Sequence, residues 1–235
     1  MIPDRQILVE ARKRIHPFIH QTPVLTCESI DNIAGAKLYF KCENFQKMGA
    51  FKMRGAANVV LQLTAKEKSK GVTTHSSGNF AQAVALSGKL TGVKATIVMP
   101  SNAPIVKKKA VLGYGAKIIE CEPTLEAREA TALQVVKDTG ATLLHPYNCY
   151  KVIAGNSSAA QELVEQVNSL DTIVAPVGGG GLISGTALAA NYFSNCTTYG
   201  AEPEGADDAF RSFKSGKLIP MICLLYTSPS PRDRQ

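Results

Sequence analysis

Between residues 71 and 202, short runs rich in β-branched residues alternate with segments of helical length. This alternation is typical of a parallel sheet whose faces are covered by helices. It predicts strands at residues 71–75, 94–99, 116–120, 172–177 and 197–201, and helices at 79–90, 105–112, 125–137 and 182–193. The predicted fold class is α/β, with ligands at the carboxyl ends of the strands, where loops meet helix N-termini.

The composition excludes several classes of protein. With 45% apolar and 19% charged residues, the chain can build a packed core, which argues against disorder. No apolar run reaches the roughly 18 residues that a membrane helix needs. The charged N-terminus also lacks the apolar stretch of a secretory signal. We therefore expect a cytoplasmic protein with no membrane partner.

Charge and cysteine spacing exclude two kinds of binding site. The net charge of +7 comes from scattered basic residues, and the run at 107–109 has no interleaved aromatic residues. That pattern is typical of a solvated helix face, so no nucleic-acid partner is predicted. The six cysteines stand at least 15 residues apart, which rules out a CxxC zinc or dithiol site.

The end of the sequence, MICLLYTSPSPRDRQ, differs from the rest of the chain. It contains two prolines and has no helical or strand period, so it gives no basis for a further element of the α/β unit. We expect residues 224–235 to be a non-native tail that interrupts a longer protein. A disordered native tail is the alternative.

Four consecutive glycines lie between a predicted buried strand and an apolar helix, in TIVAPVGGGGLISG at 172–185. Glycines let the backbone approach an anion closely, and the helix behind them supplies unpaired N–H groups and the positive end of its dipole. A P-loop is excluded because no lysine follows, and the GxGxxG spacing of a dinucleotide fold also fails. Glu202, at the next strand end, keeps an NAD-dependent oxidoreductase open as an alternative. The predicted phosphate site consists of Gly178, Gly179, Gly180 and Gly181.

Two other segments carry polar residues that a core would not need. Lys52 lies between Phe51 and Met53, where a charged ammonium is costly to bury, so a depressed pKa and Schiff-base chemistry are one interpretation. A lysine that reaches water is the other. At residues 76–79, SSGN follows a predicted strand and opens a helix, so Ser76, Ser77 and Asn79 are either helix caps or site residues.

These segments occur in an order that resembles a known family. Lys52 in AFKMRGA, SSGN at 76–79 and GGGG at 178–181 together resemble the fold type II pyridoxal-phosphate (PLP) enzymes. ENFQKMGAFKMRGA, HPYN with VIAG, and YGAEPEGADD are similar to the serine racemase and threonine/serine dehydratase branch, over about residues 5–220. The resemblance implies PLP chemistry at the α carbon of serine, threonine or 3-hydroxyaspartate.

The resemblance also implies roles for individual residues. Lys52 would bind the cofactor covalently and then act as base on one face of the substrate Cα, while Ser77 would serve the opposite face. Asn79 would hydrogen-bond the cofactor ring hydroxyl, and Phe51 would pack near the ring. The cofactor phosphate would be held by Gly178, Gly179, Gly180 and Gly181.

Further expectations from the resemblance concern assembly and metal. Glu202, Asp208 and the carbonyl of Ala206 match a site for Mg²⁺ or Ca²⁺, for which a solvated turn is the alternative. A homodimer is implied, with activation by ATP. Residues 1–69 and 149–223 are expected to form an incomplete larger domain that binds PLP, and residues 70–148 a smaller inserted domain.

Three features depart from the family pattern. Phe80 stands where a histidine is expected after SSGN, and Asn156, Ser157 and Ser158 follow VIAG where the family reads GQGT or similar. These changes are expected to alter the kinetics and to shift a loop against the site. The family also continues into a second glycine loop, SGGN, that has no match in this sequence. An inactive fragment is therefore a further alternative.

Overall fold

A computed structural model describes residues 2–220, so the predicted tail at 224–235 lies outside the described residues. The strands are β1 (Val24–Leu25), β2 (Phe40–Lys41), β3 (Val72–His75), β4 (Ala95–Pro100), β5 (Lys117–Cys121), β6 (Thr142–Leu143), β7 (Thr172–Pro176) and β8 (Thr197–Ala201). The α-helices are α1 (Arg5–Ile15), α2 (Glu28–Ala34), α3 (Lys52–Leu61), α4 (Ala65–Lys70), α5 (Asn79–Thr91), α6 (Ile105–Gly113), α7 (Leu125–Thr139), α8 (Tyr150–Asn156), α9 (Ser158–Gln166), α10 (Gly181–Phe193) and α11 (Asp208–Ser215).

The sheets confirm the predicted α/β class. Four parallel strands pair in the order β5-β4-β3-β6, and Thr74 of β3 stands opposite Ile97 of β4, which stands opposite Ile118 of β5. A second parallel pair joins β7 to β8, whereas β1 and β2 pair antiparallel. All five predicted strands and all four predicted helices are present, with boundaries within two residues of the predictions.

Local sequence signals set several helix boundaries. Thr124 caps α7 by accepting a hydrogen bond at 3.1 Å from the N–H of Ala127. The same helix ends at Gly140, whose φ of 69° lies in the left-handed region that glycine adopts at low cost. At α4, Thr64 and Glu67 form a capping box in which each side chain accepts from the other residue's backbone N–H.

The largest apolar cluster surrounds α3. It includes Met53 and Val60 from α3, Phe80 and Val84 from α5, and Ile97 from β4, all buried. The four-stranded sheet falls within the predicted smaller domain at 70–148, and β7 and β8 fall within the larger one. Because the cluster is continuous across this division, the domain boundaries stay a prediction.

Helices α3 and α8 cross where two glycines meet. A Cβ atom placed on Gly155 would lie 2.5 Å from the carbonyl oxygen of Arg54 and 2.8 Å from the Cα of Gly55. A Cβ on Gly55 would lie 2.7 Å from the side chain of Val152. Only glycine allows this close approach, so the crossing fixes α3 against α8.

No helix among residues 2–220 combines the length and the apolar character needed to cross a bilayer.

Candidate active site

Three strand ends supply the loops of the candidate site. Strand β3 ends at His75 and leads into the SSGN segment. Its parallel neighbour β6 ends at Leu143, shortly before the HPYN loop at 145–148. Strand β7 ends at Pro176, one residue before the tetraglycine loop. The first two loops therefore start at the same edge of one sheet, as expected for ligand binding in α/β proteins.

Lys52 begins α3, and its side chain is partly buried. Its Nζ donates a hydrogen bond of 3.1 Å to the carbonyl oxygen of Pro146 in the HPYN loop. The same atom lies 5.0 Å from the ring centroid of Phe51 and 5.9 Å from that of Phe80. Burial lowers the pKa of Lys52 to about 8. The structure thus favours the interpretation of a lysine with a depressed pKa, and an amine of this kind is neutral often enough near physiological pH to act as a nucleophile.

The tetraglycine loop forms a cradle against Tyr147. A Cβ atom on Gly179 would lie 2.2 Å from Cδ1 of the Tyr147 ring, so a side chain cannot fit in the present arrangement. Gly180 has a φ of 81° and stands as the N-cap of α10, where no side chain caps the helix. The first N–H groups of α10 therefore lack a side-chain partner and suit an anion. These residues fit the phosphate of PLP.

The HPYN loop connects Lys52 to the glycine cradle. His145 Nδ1 accepts hydrogen bonds from the backbone N–H groups of Asn148 at 2.9 Å and Tyr147 at 3.4 Å. The Tyr147 ring stands edge-on to His145, with 4.5 Å between the centroids, and the rings of His145 and His75 are also nearly perpendicular, with 6.2 Å between the centroids. Burial lowers the pKa of both histidines. Both were missed as individual site residues: the HPYN motif marks a resemblance without indicating which atoms His145 meets, and His75 is the last residue of strand β3.

The SSGN segment is not held by helix-capping side chains. The N-cap of α5 is Gly78, and no side chain caps this helix, so the cap interpretation of Ser76, Ser77 and Asn79 is wrong. Ser76 Oγ accepts a long hydrogen bond of 3.4 Å from the N–H of Gly78. Within residues 2–220, the side chains of Ser77 and Asn79 make no hydrogen bond, so they are available to a ligand.

The residues that depart from the family pattern lie in and beside the site. Phe80 is 2% exposed and places its ring against Lys52. Asn156, Ser157 and Ser158 are fully buried, and the amide of Asn156 donates to the carbonyl of Gly181 at 3.3 Å. Asn156 Oδ1 finds no partner among the described residues. The side-chain amide of Asn156 thus fills the junction between α3, α8 and the glycine loop.

The predicted cation ligands lie after β8, around the start of α11. Glu202 accepts hydrogen bonds from the backbone N–H groups of Phe210 at 2.8 Å and Ala209 at 3.3 Å. This carboxylate therefore holds the first turn of α11. Among the described residues, no group of three or more His, Cys, Asp or Glu side chains is placed so that it could hold a metal ion. Two carboxylates and the carbonyl of Ala206 are nevertheless an oxygen set of the type that Mg²⁺ and Ca²⁺ prefer.

Comparison with known families identifies the family of this chain. A family model described as "Pyridoxal-phosphate dependent enzyme" matches residues 15–222. The chain belongs to this PLP-dependent enzyme family. Its cofactor class is therefore pyridoxal phosphate, which decides against the NAD-dependent alternative.

Two named proteins of the PLP-dependent family are similar to this chain at about half identity. The serine racemase of Dictyostelium discoideum is 51% identical over 210 residues, which are 89% of this chain and 65% of that protein. The β-hydroxyaspartate dehydratase of Paracoccus denitrificans is 49% identical over 219 residues, 93% of this chain and 70% of that protein. The chain thus spans about two thirds of the length of these relatives.

A solved structure also confirms the fold type of the PLP-dependent chain. The maize serine racemase superimposes with a TM-score of 0.92 and 48% identity, covering 97% of this chain and 69% of that one. The fold type II architecture predicted from motif order is therefore confirmed.

Proposed function

We propose that this protein is a PLP-dependent racemase and ammonia-lyase acting on a small hydroxy amino acid such as serine, threonine or 3-hydroxyaspartate. The observation that carries the proposal is that one loop, HPYN, contacts both Lys52 and the glycine cradle. Its Pro146 carbonyl accepts a hydrogen bond from Lys52, and its Tyr147 ring packs against Gly179. The names of relatives at about half identity, serine racemase and β-hydroxyaspartate dehydratase, support this substrate class.

The proposed mechanism divides proton transfer between two faces of the substrate. When bound, PLP supplies an electron sink that makes loss of the Cα proton feasible near neutral pH. The Nζ of Lys52, with a pKa of about 8, is suited to remove and hold that proton. The Oγ of Ser77 is proposed to return a proton to the opposite face, which inverts the stereocentre. If the β-hydroxyl leaves as water first, the products from serine are pyruvate and ammonia, because the water lost in this elimination is taken up again when the resulting enamine is hydrolysed.

The remaining residues bind and orient. Gly178, Gly179, Gly180 and Gly181 are proposed to hold the phosphate at the N-terminus of α10. Asn79 is proposed to contact the ring hydroxyl of PLP, with Phe51 and Phe80 excluding water around Lys52. Exclusion of water strengthens each polar interaction in the site and protects the reacting carbon.

A divalent cation, a homodimer and nucleotide activation complete the proposal. Glu202, Asp208 and the carbonyl of Ala206 are the proposed ligands of Mg²⁺ or Ca²⁺, which would brace the turn before α11. The cytoplasmic location and the larger and smaller domains remain predictions. The alternative of an inactive fragment predicts protein without bound cofactor and without turnover.

The test is to incubate the protein with PLP and L-serine and to measure D-serine and pyruvate side by side. Ser77→Ala is expected to abolish D-serine formation while pyruvate formation continues, because Lys52 still removes the Cα proton. Ser76→Ala is the matched control, and it should retain both products. Equal D-serine formation by Ser77→Ala and the parent protein would refute the assignment of two faces.

A further inference from the structure

A buried ion network holds the first turn of α3 on the side opposite to Lys52. Arg54 lies two residues after Lys52, which in a helix corresponds to a rotation of about 200° around the axis. Its side chain is 0% exposed, the most complete burial of any charged group described between residues 2 and 220. The proposed proton transfers do not use it.

The Arg54 guanidinium makes a double fork, that is, two bidentate contacts with two different carboxylates. On one side, Nε and Nη2 donate to the two carboxylate oxygens of Glu43, both at 2.7 Å. On the other side, Nη1 and Nη2 donate to the two oxygens of Glu162, at 2.7 Å and 2.9 Å. Ser158 Oγ accepts a further bond at 3.0 Å. Two bidentate pairs fix both the position and the orientation of the guanidinium plane.

The partners of Arg54 are fixed in turn. Lys41 Nζ donates to Glu162 at 2.7 Å, and Thr22 Oγ1 donates to Glu43 at 2.6 Å. Burial disfavours the charge of Arg54, but its hydrogen bonds to Glu43 and Glu162 outweigh burial and raise its pKa. Two basic side chains, Arg54 and Lys41, therefore contact two carboxylates, Glu43 and Glu162, so that each buried charge has a partner of opposite sign.

No side-chain cap holds the start of α3. Phe51 is the N-cap and makes no side-chain hydrogen bond to the helix. The preceding chain is irregular, with Met48 at a φ of 57°. The position of Lys52 therefore depends on what holds the following residues, namely the burial of Met53 in the apolar cluster, the Arg54 network and the glycine crossing of Gly55 with α8.

We propose that Arg54 is a positioning residue for Lys52: its double fork to Glu43 and Glu162 fixes the first turn of α3 and so keeps the Lys52 amine at the HPYN loop. This inference deepens the proposed function and rests on Lys52 as the reactive amine. A buried ion network is a costly way to gain stability, since well-packed apolar residues often do as well, and a role in fixing geometry accounts for its presence.

The test uses Arg54→Lys, which keeps the charge but removes the planar fork. In the protein without cofactor, the pH dependence of Lys52 acetylation is followed by peptide mass spectrometry, well below the unfolding temperature. The parent midpoint is expected near the Lys52 pKa of about 8. In Arg54→Lys the first turn of α3 loosens and admits water, so the midpoint should move towards the ordinary lysine value of 10.5. With PLP bound, kcat should fall by about tenfold or more while KM changes little.

Arg12→Lys is the matched control, because Arg12 makes a bidentate contact with exposed Glu165 on α9 and, among the described residues, its side chain makes no hydrogen bond to α3. It should leave the Lys52 midpoint unchanged. Glu162→Gln, measured in parallel, removes one fork without changing volume and should shift the midpoint in the same direction as Arg54→Lys. If either variant is folded and its midpoint matches the parent, the proposal is refuted. The acetylation readout needs no turnover, so its result is independent of whether serine is the substrate.

Discussion

Replacing Gly179 by alanine tests the glycine cradle with a single methyl group. Gly179 does not have a positive φ, so its backbone accepts alanine without strain of that kind. The added Cβ would instead lie 2.2 Å from Cδ1 and 2.3 Å from Cγ of Tyr147. Both atoms are far inside the normal contact distance of about 3.5–4.0 Å between carbons, so the ring or the loop must move.

The expected cost is that of overpacking, about 1–3 kcal/mol in the free energy of unfolding of the protein without cofactor. Because the loop that moves is the proposed phosphate site, the affinity for PLP should fall as well. Tyr147→Ala removes the ring that causes the clash. The double variant should therefore recover most of the loss, with a coupling energy of about 1–3 kcal/mol between the two sites.

Urea unfolding of the two single variants and the double variant gives the coupling energy, and PLP titration followed by absorbance gives the affinity. Gly180→Ala is the control, since a Cβ there meets nothing within 4 Å but the φ of 81° strains alanine. Its loss, about 1–2 kcal/mol, should not be recovered by Tyr147→Ala. A Gly179→Ala protein as stable as the parent, or a Gly180→Ala loss relieved equally by Tyr147→Ala, would refute the cradle geometry.

Three further predictions concern pH and helix capping. The protein without cofactor should capture PLP faster as pH rises, with a midpoint near the Lys52 pKa of about 8, because only the neutral amine attacks; a midpoint near 10.5 would contradict this burial effect. Although burial opposes its ionisation, hydrogen bonds from Arg54 and Lys41 hold the pKa of Glu162 below its ordinary 4.5. The contribution of ionised Glu162 to the free energy of unfolding is thus fully present above pH 4.5, the ordinary pKa, and is lost as pH falls through the lower pKa of the folded state. Melting temperatures should drop in acid less steeply for Glu162→Gln than for the parent, and equal slopes would contradict the effect. Thr124→Ala should cost about 1 kcal/mol in urea unfolding by removing the cap of α7; unchanged stability would show that the cap contributes nothing.

The strands and helices with clear periodicity could be predicted from the sequence. Strand 197–201 was predicted with the boundaries that the structure shows, and the helix predicted at 105–112 extends by one residue. Parallel strands and the helices between them carry enough β-branched or apolar residues to be recognised locally, even where the strand is largely exposed, as β8 is. Strands β1, β2 and β6 were missed because each has two residues, too few to show any period.

The candidate site was predicted in part. Lys52 and the four glycines are recognisable because each is unusual in its immediate sequence. Two contacts could not be recognised from the sequence: that of Tyr147 with Gly179 and the fork of Arg54 to Glu162. Their partners are far apart along the chain and meet only through tertiary packing. The helix-cap interpretation of SSGN failed because Gly78, rather than a polar side chain, occupies the N-cap.

The most direct test of the account is to add PLP to the protein, reduce with borohydride and map the modified residue by peptide mass spectrometry. The account predicts a pyridoxyl label on Lys52, together with visible absorbance that is lost in Lys52→Ala. A label on another lysine, or absorbance that survives in Lys52→Ala, would contradict it.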